Sequence, residues 1–151
     1  MGQSLAQVYL HVVFSTKDRR SFLQDEEVQK NLHGYLAGAC RNLSSPSIQV
    51  GGVEDHVHIL CQLSKTLSIA DFVRELKRES SKWLKEQAGV SPQFQWQQGY
   101  GAFSVSPSHV DALCGYIQSQ HEHHHKESFQ DDLRRLFRKY DIEFDERYVW
   151  D

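Results

Sequence analysis

Two histidines one residue apart stand in a short apolar stretch, and this spacing suits metal binding. The stretch is GGVEDHVHIL, residues 51–60, and the pair is His56 and His58. Side chains two residues apart on a β-strand point to the same face, and imidazole nitrogens are common ligands of divalent ions. Pairs of this kind also arise by chance in a chain with nine histidines, so two solvated strand histidines are the competing interpretation.

A tyrosine and a glutamine later in the chain could complete such a site. The residues after Ser108 have the apolar spacing of a helix, in which Tyr116 and Gln120 lie one turn apart. The phenol would then stand beside an amide oxygen, which is a candidate ligand. An aromatic residue at the edge of the core is the alternative for Tyr116, and spacing alone leaves both open. The run HEHHH at 121–125 is either a further metal binder or a solvated helix end.

Basic residues form local groups although the net charge is −3. That charge gives no global reason to expect nucleic acid, so phosphate contacts would have to come from these groups. One group, called the basic stripe, runs along the helix predicted from Ser68 (Arg74, Lys77, Arg78 and Lys85). A second group follows the first strand, and a third lies in the last helix (Arg134, Arg135, Arg138 and Lys139). A solvated face balanced by acidic residues is the alternative for each. The candidate DNA-binding residues are Arg19, Arg20, Arg74, Lys77, Arg78 and Lys85, with Tyr100 for base stacking.

The elements that must position these residues follow from hydrophobic periodicity and capping signals. Strands are predicted at 7–14, 48–53 and 56–63, with a further strand in 94–105. Helices are predicted at 25–43, from Ser68, from Ser108 to about 125, and from Ser128. The order predicts an α+β fold, a ferredoxin-like β-α-β-β-α-β antiparallel sheet with helices on one face, plus two C-terminal helices. His56 and His58 then lie on the other face, which is expected to be open.

Length and composition predict a single domain over residues 1–151. No stretch is long and apolar enough to span a membrane, and the N-terminus lacks the basic start of a signal peptide. A cytoplasmic location is therefore predicted. Three widely spaced cysteines without a C-x-x-C pair argue against a disulfide framework or a zinc knuckle.

Four sequence blocks together resemble the small single-tyrosine transposases of bacterial insertion sequences and their relatives at repetitive extragenic palindromes, which are HUH nucleases. The blocks are DHVHIL, LSIADFVRELKRESSKWL, FQWQQGYGAF and GYIQSQHEHH, and the resemblance runs from YLHVVFSTKDRR to GYIQSQ. It implies that His56, His58 and Gln120 bind Mg²⁺ or Mn²⁺ and that Tyr116 is the nucleophile. It also implies a homodimer that binds single-stranded DNA hairpins, in which the tyrosine helix can complete the partner's site.

The resemblance implies cleavage and rejoining of single-stranded DNA through a 5′-phosphotyrosine. Rolling-circle initiators usually carry a lysine three residues after the tyrosine, where this chain has Ser119, and relaxases place the tyrosine before the histidines. A non-catalytic ferredoxin-like nucleic-acid-binding protein is the alternative, although the RNA-binding signature of such sheets is lacking. A two-histidine phosphoesterase would need two H-x-[ST] repeats, which the sequence does not contain.

Overall fold

The computed structural model describes residues 2–120, 128–147 and 149–151. Its strands are β1 (Tyr9–Ser15), β2 (Ser47–Gly52), β3 (His56–Gln62) and β4 (Gly101–Val105). Its helices are α1 (Glu26–Asn42), α2 (Ile69–Lys85), α3 (Val110–Gln118) and α4 (Phe129–Lys139), and one turn of 3₁₀ helix, Pro107–His109, leads into α3. None of the described helices combines the length and the apolar character needed to cross a bilayer.

Side-chain caps confirm three of the four predicted helix starts, whereas the helix predicted from Ser108 begins as α3 at Val110 without a side-chain cap. The side chain of Asp25 accepts a hydrogen bond from the Glu27 amide at the start of α1. The hydroxyl of Ser68 caps α2 and that of Ser128 caps α4, each accepting from the amide three residues on, at 3.0 Å and 3.2 Å. These contacts satisfy N–H groups that have no partner inside the helix, which is why the starts could be located from sequence.

The sheet has the order β2-β3-β1-β4 with antiparallel pairing throughout, which confirms the ferredoxin-like arrangement. Its two central strands are β1 and β3, and their register sets Val13 opposite His58 and Ser15 opposite His56. The histidine pair therefore lies in the middle of the sheet, where neighbouring strands fix the direction of each side chain.

The two faces of the sheet are both covered. On one face, the alternate β1 residues Leu10, Val12 and Phe14 pack with α1 and α2 in the main core. On the other face, α4 packs on Val13 and Phe103, and α3 packs on Leu60. The expectation of an open second face is therefore wrong. The apolar stripes of the two C-terminal helices bury themselves on the sheet of their own chain.

A glycine allows α3 to approach the sheet closely. A Cβ atom on Gly51 would lie 2.6 Å from the carbonyl oxygen and 2.8 Å from Cγ2 of Ile117. Any side chain there would push α3 outward. Because α3 carries Tyr116, this close contact also sets the distance between the tyrosine and the strand histidines.

The segment 94–100 is only partly the strand that its alternation predicts. Phe94 and Trp96 are buried, and Trp96 forms a single antiparallel bridge with Thr16. The regular strand begins only at Gly101. The carbonyl oxygens at 97–99 accept hydrogen bonds from the Lys77 ammonium.

Candidate active site

The site begins with three buried histidines on the two central strands. His56 and His58 of β3 are 1% and 0% exposed, and His11 of β1 is also fully buried. The Nδ1 atom of His56 donates to the Asp55 carboxylate at 2.7 Å, and Nδ1 of His58 lies 2.9 Å from Nε2 of His11. Burial and, to a smaller extent, the positive charge of Lys139 lower the pKa of His11 to about 4, so His11 is neutral at physiological pH.

Gln120 reaches His56 from the residues that follow α3. Its Oε1 atom lies 2.9 Å from Nε2 of His56. The Asp55 carboxylate engages Nδ1 of His56, which leaves Nε2 facing Gln120, and the two atoms are joined by a hydrogen bond. An imidazole nitrogen and an amide oxygen, both possible metal ligands, therefore face the same point. Adjacent ligands of an octahedral ion at ~2.1 Å are about 3.0 Å apart, so this separation suits joint coordination of one divalent cation.

Tyr116 of α3 lies against this group. Its ring meets the His58 ring edge-on, with the centroids 5.6 Å apart. Its hydroxyl donates a hydrogen bond to Oδ2 of Asp132. Burial and, to a smaller extent, the Asp132 carboxylate raise the pKa of Tyr116 well above its usual range. In this arrangement the tyrosine is a neutral phenol whose proton points at a carboxylate.

Asp132 is a site residue that was not predicted from the sequence. It lies in the first turn of α4, is 4% exposed, and its Oδ1 accepts a hydrogen bond from Nη2 of Arg135 at 2.5 Å. One ligand atom from each of His56, His58 and Asp132 lies within 4.8 Å of the other two. A sequence signal did exist, because Asp132 falls at helical spacing from Phe129 and Leu136 on the apolar side of α4.

The donor set of this site fits a divalent metal ion. Two imidazoles, an amide oxygen and a buried carboxylate converge from β3, the end of α3 and α4. Imidazole nitrogens suit first-row transition metals, and the oxygen ligands suit Mg²⁺ and Mn²⁺. All of these groups, and Tyr116 with them, belong to one chain.

A cavity opens beside the tyrosine. It has a volume of about 500 Å³ and lies between the end of β4, α3 and α4. Its basic and aromatic lining residues are His109, Tyr116, Arg135, Lys139 and Tyr140. Cations beside an aromatic wall suit a phosphate group and a stacked ring, so the lining of this cavity is compatible with a phosphate-bearing ligand beside Tyr116.

Lys77 differs from the other members of the basic stripe. Its ammonium group donates to the carbonyl oxygens of Gln97, Gln98 and Gly99 at 2.8, 3.2 and 2.6 Å. It also lies over the rings of Phe14 and Tyr100. Burial lowers the pKa of Lys77 to about 8, whereas its three carbonyl acceptors favour the charged form. Lys77 thus holds the segment before β4, and a DNA contact would compete with that role.

The remaining candidate DNA-binding residues lie away from the histidines. Arg74 and Arg78 are exposed on α2 and form ion pairs with Asp71, Glu75 and Glu79. Because α2 packs on the face opposite the histidines, the sheet separates this stripe from Tyr116. Lys85 and Arg20 are also exposed, Arg19 is half-buried, and Tyr100 is 41% exposed. The histidine run at 121–125 lies outside the described residues.

A family model identifies the family to which the chain belongs. A family model described as "Transposase IS200 like" matches residues 4–120, a segment that contains the histidine pair, the tyrosine and the glutamine. The chain belongs to the IS200-like transposase family. No curated protein matches it.

Two solved structures are similar to this family member. One is a candidate transposase from Deinococcus radiodurans R1, with 25% identity and a TM-score of 0.58 over 80% of this chain and 96% of the other. The second is a REP-associated tyrosine transposase bound to a REP hairpin, with 15% identity and a TM-score of 0.57 over 82% and 74% of the two chains. The second likeness concerns the fold alone.

Proposed function

We propose that this transposase cleaves and rejoins single-stranded DNA at hairpin-marked sites, with Tyr116 as nucleophile and a divalent ion at His56, His58 and Gln120. The main support for the proposal is the position of the Tyr116 hydroxyl. It is hydrogen-bonded to Asp132, whose carboxylate lies within 4.8 Å of ligand atoms of His56 and His58. A phenol is thus held at the edge of the candidate metal site.

The ion would be Mg²⁺ or Mn²⁺, held by Nε2 of His56, His58 and Oε1 of Gln120. When bound, it supplies Lewis-acid stabilisation of charge on the scissile phosphate. Asp55 holds the His56 ring with Nε2 toward the ion, as acidic partners of metal-binding histidines commonly do. His11 plays the equivalent part for His58 from the neighbouring strand.

The reaction follows from the nucleophile. The Tyr116 oxygen attacks the phosphorus of the scissile phosphate, and the bond between phosphorus and the 3′-oxygen breaks. The protein is then linked through Tyr116 to the 5′-phosphate of the DNA, and a 3′-hydroxyl is released. A 3′-hydroxyl from another strand reverses the step and rejoins DNA. Because the phosphotyrosine conserves the energy of the phosphodiester bond, no nucleotide hydrolysis is required, and the sequence contains no G-x-x-x-x-G-K-[ST] motif.

The DNA partner would be a single strand that carries a hairpin, since the REP-associated relative was solved bound to a REP hairpin. We place its scissile end in the cavity beside Tyr116, and the hairpin stem on the exposed basic residues of α2 (Arg74, Arg78 and Lys85) and on Arg19 and Arg20 after β1. A homodimer and a cytoplasmic location stay predictions. In such a dimer each subunit would use its own tyrosine, because Tyr116 lies at the histidines of its own chain.

Covalent trapping tests this function. The purified protein is mixed with Mn²⁺ and labelled hairpin DNA from the ends of its own genetic locus, and adducts that survive SDS are separated by electrophoresis. An adduct is expected with the wild-type chain. It should be lost in EDTA and in Tyr116→Phe, whereas the variant should keep its hairpin affinity because the ring and its packing remain.

Other outcomes would contradict the proposal. Strand scission by Tyr116→Phe would assign the nucleophile to another group, and full activity in saturating EDTA would remove the metal. Tight hairpin binding without any adduct would favour the alternative function, a non-catalytic nucleic-acid-binding relative.

A further inference from the structure

We propose that Asp132 is the catalytic base of this site, which removes the proton from Tyr116 as it attacks and returns it when DNA is rejoined. This inference rests on the proposed nucleophilic role of Tyr116. It assigns the carboxylate of α4 a part in the chemistry, although α4 lies beyond the matched residues 4–120.

The geometry places a proton acceptor at the reacting atom. The Tyr116 hydroxyl donates directly to Oδ2 of Asp132, and Asp132 is 4% exposed. A positioned carboxylate within hydrogen-bond distance of the proton to be removed meets the first requirement for a general base. A phenol is a weak nucleophile while it keeps its proton, so the reaction requires a base at this position.

Arg135 holds this carboxylate in place. Its Nη2 atom donates to Oδ1 of Asp132 at 2.5 Å, and its guanidinium carbon lies 5.8 Å from the centre of the Tyr116 ring. One oxygen of Asp132 is thus fixed by a cation one turn along α4, while the other faces the phenol. Arg135 is therefore a positioning residue, and Asp132 touches the reacting oxygen.

The same carboxylate lies near the metal ligands, so its role as a base has to be distinguished from a role as a ligand. The groups that face it are Tyr116 from α3, Arg135 from α4, and His56 and His58 from β3. The two oxygens of Asp132 accept hydrogen bonds from Tyr116 and Arg135, whereas Oε1 of Gln120 contacts Nε2 of His56, a candidate ligand atom, at 2.9 Å. This arrangement favours Gln120 as a ligand of the ion and Asp132 as the base for Tyr116.

With Asp132 as the base, each proton that moves during cleavage and rejoining has a donor and an acceptor. In cleavage, the O–H bond of Tyr116 breaks, its proton passes to Asp132, and an oxygen electron pair forms the bond to phosphorus. The bond between phosphorus and the 3′-oxygen breaks, and that oxygen takes a proton from water. In rejoining, a 3′-hydroxyl attacks and loses its proton to water, while the leaving phenolate recovers its proton from Asp132.

The test is single-turnover cleavage of hairpin DNA by Asp132→Asn. Asparagine keeps the size and the acceptor oxygen but cannot take the proton, so cleavage should slow by about 10²- to 10⁴-fold. The affinities for Mn²⁺ and for the hairpin should stay within about threefold of wild type. Asp131→Asn is the matched control, because Asp131 is the adjacent carboxylate, with a side chain that is 65% exposed and paired with Arg134. It should cleave at the wild-type rate.

A second readout separates a base from a structural residue. Replacement of Tyr116 by 3,5-difluorotyrosine supplies a more acidic phenol, which depends less on a base. This replacement should raise the cleavage rate of the Asp132→Asn variant by at least about tenfold. In the protein that keeps Asp132, the same replacement should change the cleavage rate by less than about threefold. If Asp132→Asn fails to bind the hairpin, Asp132→Ser is expected to show the same loss and the same rescue.

Two results would overturn the inference. One is a near-wild-type rate for Asp132→Asn while Tyr116→Phe is inactive, which would refute the base and leave the proposed function standing. The other is a loss of Mn²⁺ affinity by about tenfold or more without rescue by the fluorinated phenol, which would make Asp132 a metal ligand. Cleavage by Tyr116→Phe would instead overturn the proposed function itself.

Discussion

Nε2 of His11 lies 2.9 Å from Nδ1 of His58, across the two central strands of the sheet. The two rings stack with centroids 5.2 Å apart, and both residues are fully buried. The two nitrogens share one hydrogen-bonding proton, so the protonation state of His11 and the tautomer of His58 are linked. A residue on β1 that touches no DNA in the proposal therefore helps to orient a candidate metal ligand on β3.

The first prediction concerns this pair and acid stability. Burial lowers the pKa of His11 from 6.5 to about 4, so between these values the unfolded chain binds a proton that the folded chain does not. Stability therefore falls as the pH drops from 6.5 to about 4. This difference in pKa corresponds to about 3 kcal/mol.

His11→Gln removes this contribution. Urea unfolding of the metal-free protein should show the variant gaining about 3 kcal/mol relative to wild type between pH 7 and pH 4. His109→Gln, at an exposed histidine, is the control and should show no such gain. A constant difference between His11→Gln and wild type over this range would refute the lowered pKa.

The second prediction concerns the Asp55 carboxylate, which holds the His56 ring at 2.7 Å. Asp55→Asn weakens this contact and loosens the orientation of Nε2. The affinity for Mn²⁺, measured by calorimetry, should fall by about 10- to 100-fold. Asp111→Asn, an exposed carboxylate on α3, should leave it unchanged. Equal affinities in the two variants would mean that His56 is not held for an ion.

The third prediction concerns the half-buried ammonium of Lys77. Lys77→Met keeps most of the stem but leaves the carbonyl oxygens at 97–99 without their shared donor. Unfolding free energy should fall by about 1–3 kcal/mol. Lys82→Met, at an exposed position of the same helix, serves as the control. Equal stability of the two variants would argue against the structural role of Lys77.

The fourth prediction tests the basic stripe while Lys77 stays in place. Arg74→Gln combined with Arg78→Gln should lower the slope of log affinity against log salt by about 1.8, at about 0.9 for each phosphate contact with the duplex stem of the hairpin. Arg41→Gln, at the end of α1, is the control and should leave the slope unchanged. A wild-type slope in the double variant would place the DNA on another surface.

Much of the fold follows from local sequence signals. The alternation of β1 and β3 assigned each side chain to a face, and Ser68 and Ser128 marked helix starts that the structure confirms. These features depend on neighbours in the chain, which a sequence displays directly. His56 and His58 were placed on one face by the same alternation.

Other features depend on distant parts of the chain. Spacing along α2 cannot distinguish Lys77 from Arg78, because the difference lies in carbonyl groups about 20 residues away. Asp132 is one of two acidic residues in the first turn of α4, where acidic residues are common for reasons of helix polarity. Its role emerges only when α4 is packed against α3, which brings it to Tyr116.

The most direct test of the central claim is to identify the residue that carries the DNA. The trapped adduct is digested with nuclease and protease, and the peptide that bears the remaining 5′-phosphate is sequenced by mass spectrometry. The account predicts the phosphate on the oxygen of Tyr116, in a peptide that is absent when EDTA is present. A phosphate on any other side chain would contradict it.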